Sequence, residues 1–205
     1  MSTKDTYFTL VDTCTAEFKD KGSRFIAVAY PIQAEHEVKQ HLMALKKTHH
    51  AAAHFCYAYV LGPNSNIQKS NDDREPANSA GKPILRSIVQ QQLTNTLVVV
   101  VRYFGGKLLG VPGLIHAYGE AANMALVAAN RQECVVMARY QVTGDFVHEN
   151  ELYKAYKQFD AKMISHQYNQ HQFISIYEVR KNKSLELLNN LENKRLFEIE
   201  NLSDL

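Results

Sequence analysis

The chain has 205 residues, of which 45% are hydrophobic and 21% charged, and its 23 basic and 21 acidic side chains leave a formal net charge of +2. This length allows one large or two small domains, and the composition is that of a globular protein able to bury a core. A charge so close to neutral excludes strong overall attraction to nucleic acid or to a membrane surface. Any such binding would depend on a local cluster of charges.

The cysteines and the amino-terminal residues indicate the cellular compartment in which the protein is expected. Cys14, Cys56 and Cys134 are odd in number and lack the paired spacing of zinc sites, which favours free thiols in a reducing compartment. Residues 1–5 are polar, and no apolar run approaches the ~18 residues of a membrane-spanning helix. We therefore expect a cytoplasmic protein without a membrane segment, a bound metal or another cofactor.

Hydrophobic periodicity predicts the elements of the first half of the chain. In chain order they are a strand at 23–30, a helix at 33–48, a strand at 54–61, a polar loop at 63–79 and a helix that begins near Pro83. Residues 97–101 form a continuous apolar run, which predicts a central strand covered on both faces. A glycine-rich loop at 103–113 then leads into a helix at 114–130, whose many alanines indicate close packing against a neighbouring element.

From about Val135 the composition changes, because glycine almost disappears and a compact set of elements begins. The pattern predicts strands at 140–145, 163–168, 173–179 and 196–200, with helices at 149–159 and from Ser184. That order, βαββαβ, is the ferredoxin-like arrangement. We therefore predict an α+β protein with two domains, residues 1–135 and 136–205.

Four segments, in this order and spacing, resemble the IMPACT/YigZ family. They are Lys21-Gly22-Ser23-Arg24-Phe25-Ile26, His54-Phe55-Cys56-Tyr57-Ala58-Tyr59, Asp72-Asp73-Arg74-Glu75-Pro76 through Ala80-Gly81-Lys82-Pro83, and Val100-Val101-Arg102-Tyr103-Phe104-Gly105-Gly106 through Leu109-Gly110 to Ala117-Tyr118-Gly119. The resemblance implies a first domain like the second domain of a small-subunit ribosomal protein and a second domain like the last domain of elongation factor G. It also implies a link to translation or RNA, which eukaryotic relatives exert by restraining a stress-activated initiation-factor kinase.

Three positions depart from the family pattern. The family usually has glycine in place of Arg74, Gly-Thr in place of Asn78-Ser79, and glycine in place of Pro112. Glycine is the residue that tolerates positive φ or a close backbone approach to a ligand. The departures therefore raise the hypothesis that binding by these two loops is lost or altered here.

The first candidate site is a phosphate- or nucleic-acid-binding surface. Lys21, Arg24, Lys82 and Arg102 would supply cations, and the backbone N–H groups of Gly105 and Gly106 would lie near a helix N-terminus. Two structural alternatives stay open. The glycines would also suit a tight connection between a buried strand and a close-packed helix, and Arg102 would also suit an internal ion pair with Asp72, Asp73 or Glu75.

The second candidate site is a polar cluster of His54, Asp72, Asp73, Glu75, Tyr103 and Tyr118. Clustered carboxylates suit a hard cation such as Mg²⁺, and His54 with Cys56 suits metal ligation or nucleophilic chemistry. Asp and Glu are also common turn and cap residues, and a buried strand cysteine is usually inert. The strand at 54–61 would place His54, Cys56 and Ala58 on one face and its aromatic residues on the other.

Three functions follow from these alternatives. The leading hypothesis is a non-enzymatic, translation-associated regulator that binds RNA, the ribosome or a translation factor, with the open face of the second domain's sheet as an additional surface. The alternatives are a metal- or phosphate-dependent hydrolase or transferase that uses the loop 72–75, and a module that only binds proteins. The sequence does not specify an oligomeric state.

Overall fold

The computed structural model describes residues 5–202, which group into two compact units. The larger unit comprises residues 7–134, and the smaller one comprises residues 135–202 together with residues 5 and 6. In the smaller unit the backbone N–H of Val136 donates to the carbonyl oxygen of Asp5 at 2.6 Å. No helix between residues 5 and 202 is both long enough and apolar enough to span a membrane.

The larger unit is built on a five-stranded antiparallel sheet with strand order β2-β3-β6-β4-β5. Its strands are β2 (Cys14–Asp20), β3 (Ser23–Pro31), β4 (His54–Leu61), β5 (Ile67–Asn71) and β6 (Thr96–Tyr103). A separate two-stranded sheet pairs β1 (Thr6–Leu10) with β7 (Arg131–Val135). The helices are α1 (Glu35–Thr48), α2 (Gly81–Gln90) and α3 (Gly110–Ala128).

The central strand β6 is covered on both faces, as its run of valines predicts. Val98 and Val100 belong to a core shared with α2 and α3, whereas Val99 and Val101 pack in a second core with α1. Ala117, Ala121, Ala122 and Ala125 of α3 are fully buried in the first of these cores, which confirms the predicted close packing of this helix. The predicted division of β4 is also confirmed, because Cys56 and Ala58 face one core while the aromatic side chains face the other.

The smaller unit has the predicted βαββαβ order of elements. They are β8 (Met137–Asp145), α4 (Glu149–Phe159), β9 (Lys162–Tyr168), β10 (Gln172–Arg180), α5 (Lys181–Lys194) and β11 (Phe197–Asn201), with a short 3-10 helix at Phe146–His148. The antiparallel sheet has strand order β11-β8-β10-β9. Tyr140, Phe173 and Tyr177 from its strands share a core with Leu152 of α4 and Leu187 of α5.

Several predicted bounds differ from the structure, and β1, β2 and β7 were not predicted. Three of the differences have a clear physical reason. The polar loop at 63–79 contains β5, whose residues are all exposed because it is an edge strand. The helix predicted from residue 114 begins at Gly110, so that Pro112 lies in its first turn, where a missing N–H group costs no hydrogen bond. The helix predicted from Ser184 begins at Lys181, and the hydroxyl of Ser184 donates to the carbonyl oxygen of Lys181 at 2.8 Å instead of capping the helix.

Candidate functional site

Three connecting segments meet at one end of the five-stranded sheet, which we call the loop end. The strand register places them there: Arg24 at the start of β3 pairs with Tyr103 at the end of β6, and His54 at the start of β4 pairs with Arg102. The segments are the β2–β3 turn (residues 21–22), the acidic loop (residues 72–80) and the glycine-rich loop (residues 104–109). All four family-like segments therefore contribute to this end of the sheet.

The β2–β3 turn and the glycine-rich loop are held together by two glycines. A Cβ atom on Gly105 would lie 1.9 Å from the carbonyl carbon of Gly22, a distance that no side chain allows. Gly22 itself has φ of +84°, and the backbone N–H of Gly105 donates to the Ser23 hydroxyl oxygen at 3.2 Å. This packing supports the structural alternative for Gly105. Gly106 differs, because a Cβ there would have no neighbour within 4 Å.

Arg102 and Glu75 form a buried ion pair at the loop end. The Arg102 Nη1 atom lies 2.5 Å from Glu75 Oε1, and the two side chains are only 6% and 4% exposed. The Tyr118 hydroxyl donates to the same carboxylate oxygen at 2.8 Å, and His54 Nε2 lies 3.7 Å from it. The guanidinium group also lies over the rings of Phe25 and Phe104, at 5.5 and 5.6 Å from their centroids. Arg102 is therefore engaged inside the protein.

The aspartates of the acidic loop are bound to backbone groups. The Asp72 carboxylate accepts hydrogen bonds from the backbone N–H groups of Ala80 (3.0 Å) and Gly81 (2.8 Å), at the start of α2, and of Asn78 (2.9 Å). Asp73 accepts one from the N–H of Phe55 at 2.7 Å. The loop carboxylates thus have separate partners. Within residues 5–202, no group of three His, Cys, Asp or Glu side chains is arranged to hold a metal ion.

The acidic loop has left-handed backbone geometry at Arg74 and Asn78, two of the positions that depart from the expected family pattern. Arg74 has φ of +69° and Asn78 has φ of +63°, and Asp73 beside them has φ of +38°. A positive φ raises the free energy of any L-residue that has a side chain, whereas glycine has no such cost. Among the residues with side chains, asparagine is one of those that tolerate this conformation best. Arg74 and Asn78 therefore adopt this backbone conformation at some cost in stability.

Cys56 and Tyr118 lie in the buried region behind the acidic loop. Burial raises the pKa of the Cys56 thiol far above its ordinary value, and the nearby carboxylates act in the same direction. Burial likewise raises the pKa of Tyr118, with Cys56 and Glu75 as further causes. The Cys56 thiol donates to the carbonyl oxygen of Asp72 at 3.0 Å. Both groups are therefore protonated at neutral pH, which disfavours Cys56 as a nucleophile.

The predicted polar cluster is only partly assembled. His54, Glu75 and Tyr118 lie together around Arg102, whereas the Tyr103 hydroxyl is bonded to His49 Nδ1 at 2.9 Å. The Nδ1 atom of His54 lies 2.8 Å from the carbonyl oxygen of Asp73, which fixes the ring in place.

Of the predicted basic residues, Lys21 and Lys82 are exposed and have no ion pair within residues 5–202. Arg24 is engaged in two hydrogen bonds to the Glu17 carboxylate, at 3.0 and 3.1 Å. Two residues of the glycine-rich loop were not predicted as site residues: Lys107, which is exposed, and Phe104, whose relative exposure is 53%. The available signal in the sequence was an aromatic residue and a lysine within one glycine-rich loop.

The comparisons with known proteins cover most of the chain. The model of the Impact N-terminal domain matches residues 21–126. The IMPACT family member YvyE of Bacillus subtilis is 38% identical over 167 residues, which cover 80% of this chain and 76% of that protein. For the IMPACT family member YigZ of Escherichia coli the identity is 33% over 150 residues, covering 72% of this chain and 74% of that protein. The crystal structure of a hypothetical protein has a TM-score of 0.73 at 27% identity, over 96% of this chain and 97% of that one.

Proposed function

This chain belongs to the IMPACT family, and we propose that it is a translation-associated regulator that binds RNA at the loop end and catalyses no reaction. The supporting observation is that lysine side chains are exposed on or directly after the segments that meet there: Lys21 in the β2–β3 turn, Lys107 in the glycine-rich loop and Lys82 in the first turn of α2, which follows the acidic loop. Phe104 of the glycine-rich loop is exposed as well. Lysine side chains supply phosphate contacts, and an exposed aromatic ring supplies a stacking surface for an unpaired base.

The proposed RNA site differs from the set that the sequence suggests. Arg102 and Arg24 already have carboxylate partners, Glu75 and Glu17, and release of Arg102 would leave the buried Glu75 carboxylate without its cation. Lys107 and Phe104 take their places as the groups available to a ligand. Gly105 contributes by bringing the turn that carries Lys21 against the loop that carries Lys107.

The link to translation rests on the family. We further propose that the first domain is comparable with the second domain of a small-subunit ribosomal protein, and the second domain with the last domain of elongation factor G. Binding to RNA in a ribosome, or to RNA held by a translation factor, would agree with both of these domain comparisons.

The hydrolase or transferase alternative finds less support in the site. Asp72 and Asp73 use their carboxylates on backbone N–H groups, and Glu75 is paired with Arg102. A cation bound by this loop would compete with these contacts for both Asp72 oxygens, Asp73 Oδ2 and Glu75 Oε1. Cys56 is buried, and its pKa is raised by that burial.

Salt-dependent binding of a labelled 15-nucleotide oligo(U) tests this proposal by fluorescence anisotropy. Each phosphate contact contributes about −0.7 to the slope of log K against log salt concentration, so that three lysines imply a slope of about −2. Replacement of Lys21, Lys82 and Lys107 by Gln should remove most of this slope. A matched triple variant at Lys39, Lys47 and Lys157, which are also exposed, should retain it.

A Phe104→Ala variant separates stacking from charge. Loss of one stacked base weakens binding by about 1–3 kcal/mol and leaves the salt slope unchanged. The proposal fails if oligo(U) does not bind at low salt, or if both triple variants bind like the unchanged protein.

A further inference from the structure

Helices α2 and α3 leave an open groove between them on the surface of the larger unit. Its volume is about 280 Å³, and the residues that matter to the argument are Arg86 and Gln90 on α2 and Ile115, His116, Gly119 and Glu120 on α3. Because the lining residues of each helix recur at helical spacing, the groove runs along the helix pair for roughly two turns. Neither candidate site described above includes it.

The absence of a side chain at Gly119 keeps the groove open. A Cβ atom there would lie 3.7 Å from Pro83 Cβ, in ordinary contact, so that any longer side chain would extend into the groove. The Ser87 hydroxyl donates to the carbonyl oxygen of Gly119 at 3.1 Å and fixes the two helices relative to one another. The groove is thus preformed.

Exposed aliphatic side chains precede Ile115 in the chain, toward and before the start of α3. Leu108, Val111 and Ile115 have relative exposures of 86%, 46% and 38%, and Ile115 also lines the groove. Val111 and Ile115 are four residues apart in α3, so that they lie on the same face of the helix. Contiguous exposed apolar residues on a folded domain mark interaction sites.

Arg86 lines the other side of the groove, and Lys82, which also belongs to the proposed RNA site, lies one turn before it in α2. Lys82 and Arg86 are four residues apart in α2 and exposed, and neither has an acidic partner within the described part of the chain. Glu120 is the single carboxylate among the residues that line the groove. A ligand that fits this surface has an apolar stripe beside an acidic one.

We propose that the α2–α3 groove binds an acidic amphipathic helix of a partner protein. Leucine-like side chains at helical spacing would contact Leu108, Val111 and Ile115, and glutamate or aspartate side chains would face Lys82 and Arg86. Binding of a helix in a groove uses this combination of apolar anchors and flanking charge. RNA is the weaker match, because aliphatic side chains provide no stacking surface.

A designed peptide pair tests the inference. One labelled 18-residue peptide carries leucines at positions i, i+3 and i+7 with flanking glutamates, and its twin carries lysines in place of the glutamates. We expect the acidic peptide to bind at least tenfold more tightly than the basic one. We also expect it to shift the amide signals of residues 108–119 in an NMR titration of the full chain.

Variants locate the binding. Ile115→Asp should weaken the acidic peptide at least tenfold, and Gly119→Leu should abolish binding by filling the groove. Val127→Asp on the same helix is the matched control, because Val127 is 65% exposed and does not line the groove, and it should bind like the unchanged protein. Thermal melts identify any variant that fails to fold, and Ile115→Asp, at an exposed position, keeps the test valid if Gly119→Leu does not fold.

Four results would overturn the inference. They are equal binding of the two peptides, binding that Ile115→Asp leaves unchanged, an oligo(U) titration that shifts the amide signals of Arg86 and Ile115, and self-association in sedimentation that Ile115→Asp abolishes. The last two would assign the surface to RNA or to a second copy of the chain. Lys82 is common to the two proposals, but the residues changed in this test, Ile115 and Gly119, lie outside the proposed RNA site, so that failure of the peptide to bind leaves the expected oligo(U) result unchanged.

Discussion

Arg102 at the end of β6 holds Glu75 of the acidic loop through a 2.5 Å contact, with both side chains almost completely buried. Tyr118 of α3 donates to the same carboxylate oxygen at 2.8 Å, so that one carboxylate connects the sheet, the acidic loop and a helix. Of the two roles that the sequence left open for Arg102, the internal ion pair is the one this geometry supports.

Replacement of Arg102 by Ala should therefore reduce stability without changing RNA binding. The variant leaves the buried Glu75 carboxylate without its cation, which costs about 3–5 kcal/mol. We expect this loss in the free energy of unfolding from urea titration, while the salt slope for oligo(U) stays near that of the unchanged protein. A shallower slope of log K against log salt concentration in the folded variant would show that Arg102 contacts the RNA.

The double variant Arg102→Met with Glu75→Leu provides the control for this prediction. Removal of both charges eliminates the unpaired carboxylate, so that the double variant should be more stable than Arg102→Ala alone. If the double variant is less stable than Arg102→Ala, the single-variant loss has another cause.

Replacement of Arg74 by Gly should stabilise the protein. Arg74 has φ of +69°, its side chain is 79% exposed, and its nearest polar contacts are long, at 3.5 and 4.0 Å. The left-handed conformation costs an L-residue about 1–2 kcal/mol, part of which glycine regains. We expect the free energy of unfolding to rise by about 0.5–1 kcal/mol. Lys39→Gly in α1 should have the opposite sign, because glycine weakens a helix by a similar amount. A loss of stability in Arg74→Gly would show that the long contacts of its side chain matter.

The elements that could be predicted are those with a one-sided or two-sided apolar pattern. The run of valines in β6 predicted a strand covered on both faces, and the alternation in β4 predicted which of its side chains share a face. Helix α4 was predicted with the bounds it has in the structure. β5 could not be predicted, because an edge strand whose side chains are all exposed has no apolar alternation. The partner of Arg102 was also beyond the sequence, since three carboxylates of the acidic loop were equally near along the chain.

Cys56 should react with a thiol reagent much more slowly than the other cysteines. It is fully buried and its pKa is raised by burial, whereas Cys14 and Cys134 are half-buried. Only the thiolate reacts appreciably, so that Cys56 should react only when the protein around it opens locally and exposes the thiol to water. With a chromogenic disulfide reagent we expect two fast equivalents and one slow one, assigned by mass spectrometry. In concentrated guanidinium chloride all three should react at similar rates. Rapid labelling of Cys56 in the native protein would revive it as a nucleophile beside His54.

The last prediction concerns Glu149 and acid stability. Its Oε1 atom accepts hydrogen bonds from Tyr153 (2.7 Å) and Tyr168 (2.8 Å), and His166 Nε2 lies 3.0 Å away. The hydrogen bond from Tyr153, then that from Tyr168, lowers the pKa of Glu149 below its ordinary value. A carboxyl group with a lowered folded-state pKa stabilises the fold above its unfolded pKa, and this contribution is lost as the pH falls through the folded value.

We therefore expect Glu149→Gln to flatten the acid dependence of the melting temperature. Between about pH 5 and pH 3, which lies below the usual titration range of histidine, the unchanged protein should lose more melting temperature than the variant. The control variant Glu186→Gln should lose as much melting temperature as the unchanged protein. Glu186 is exposed and forms no hydrogen bond or ion pair within the described residues. Parallel acid profiles for Glu149→Gln and the unchanged protein would mean that the two tyrosines bind the protonated and the ionised carboxyl group equally well.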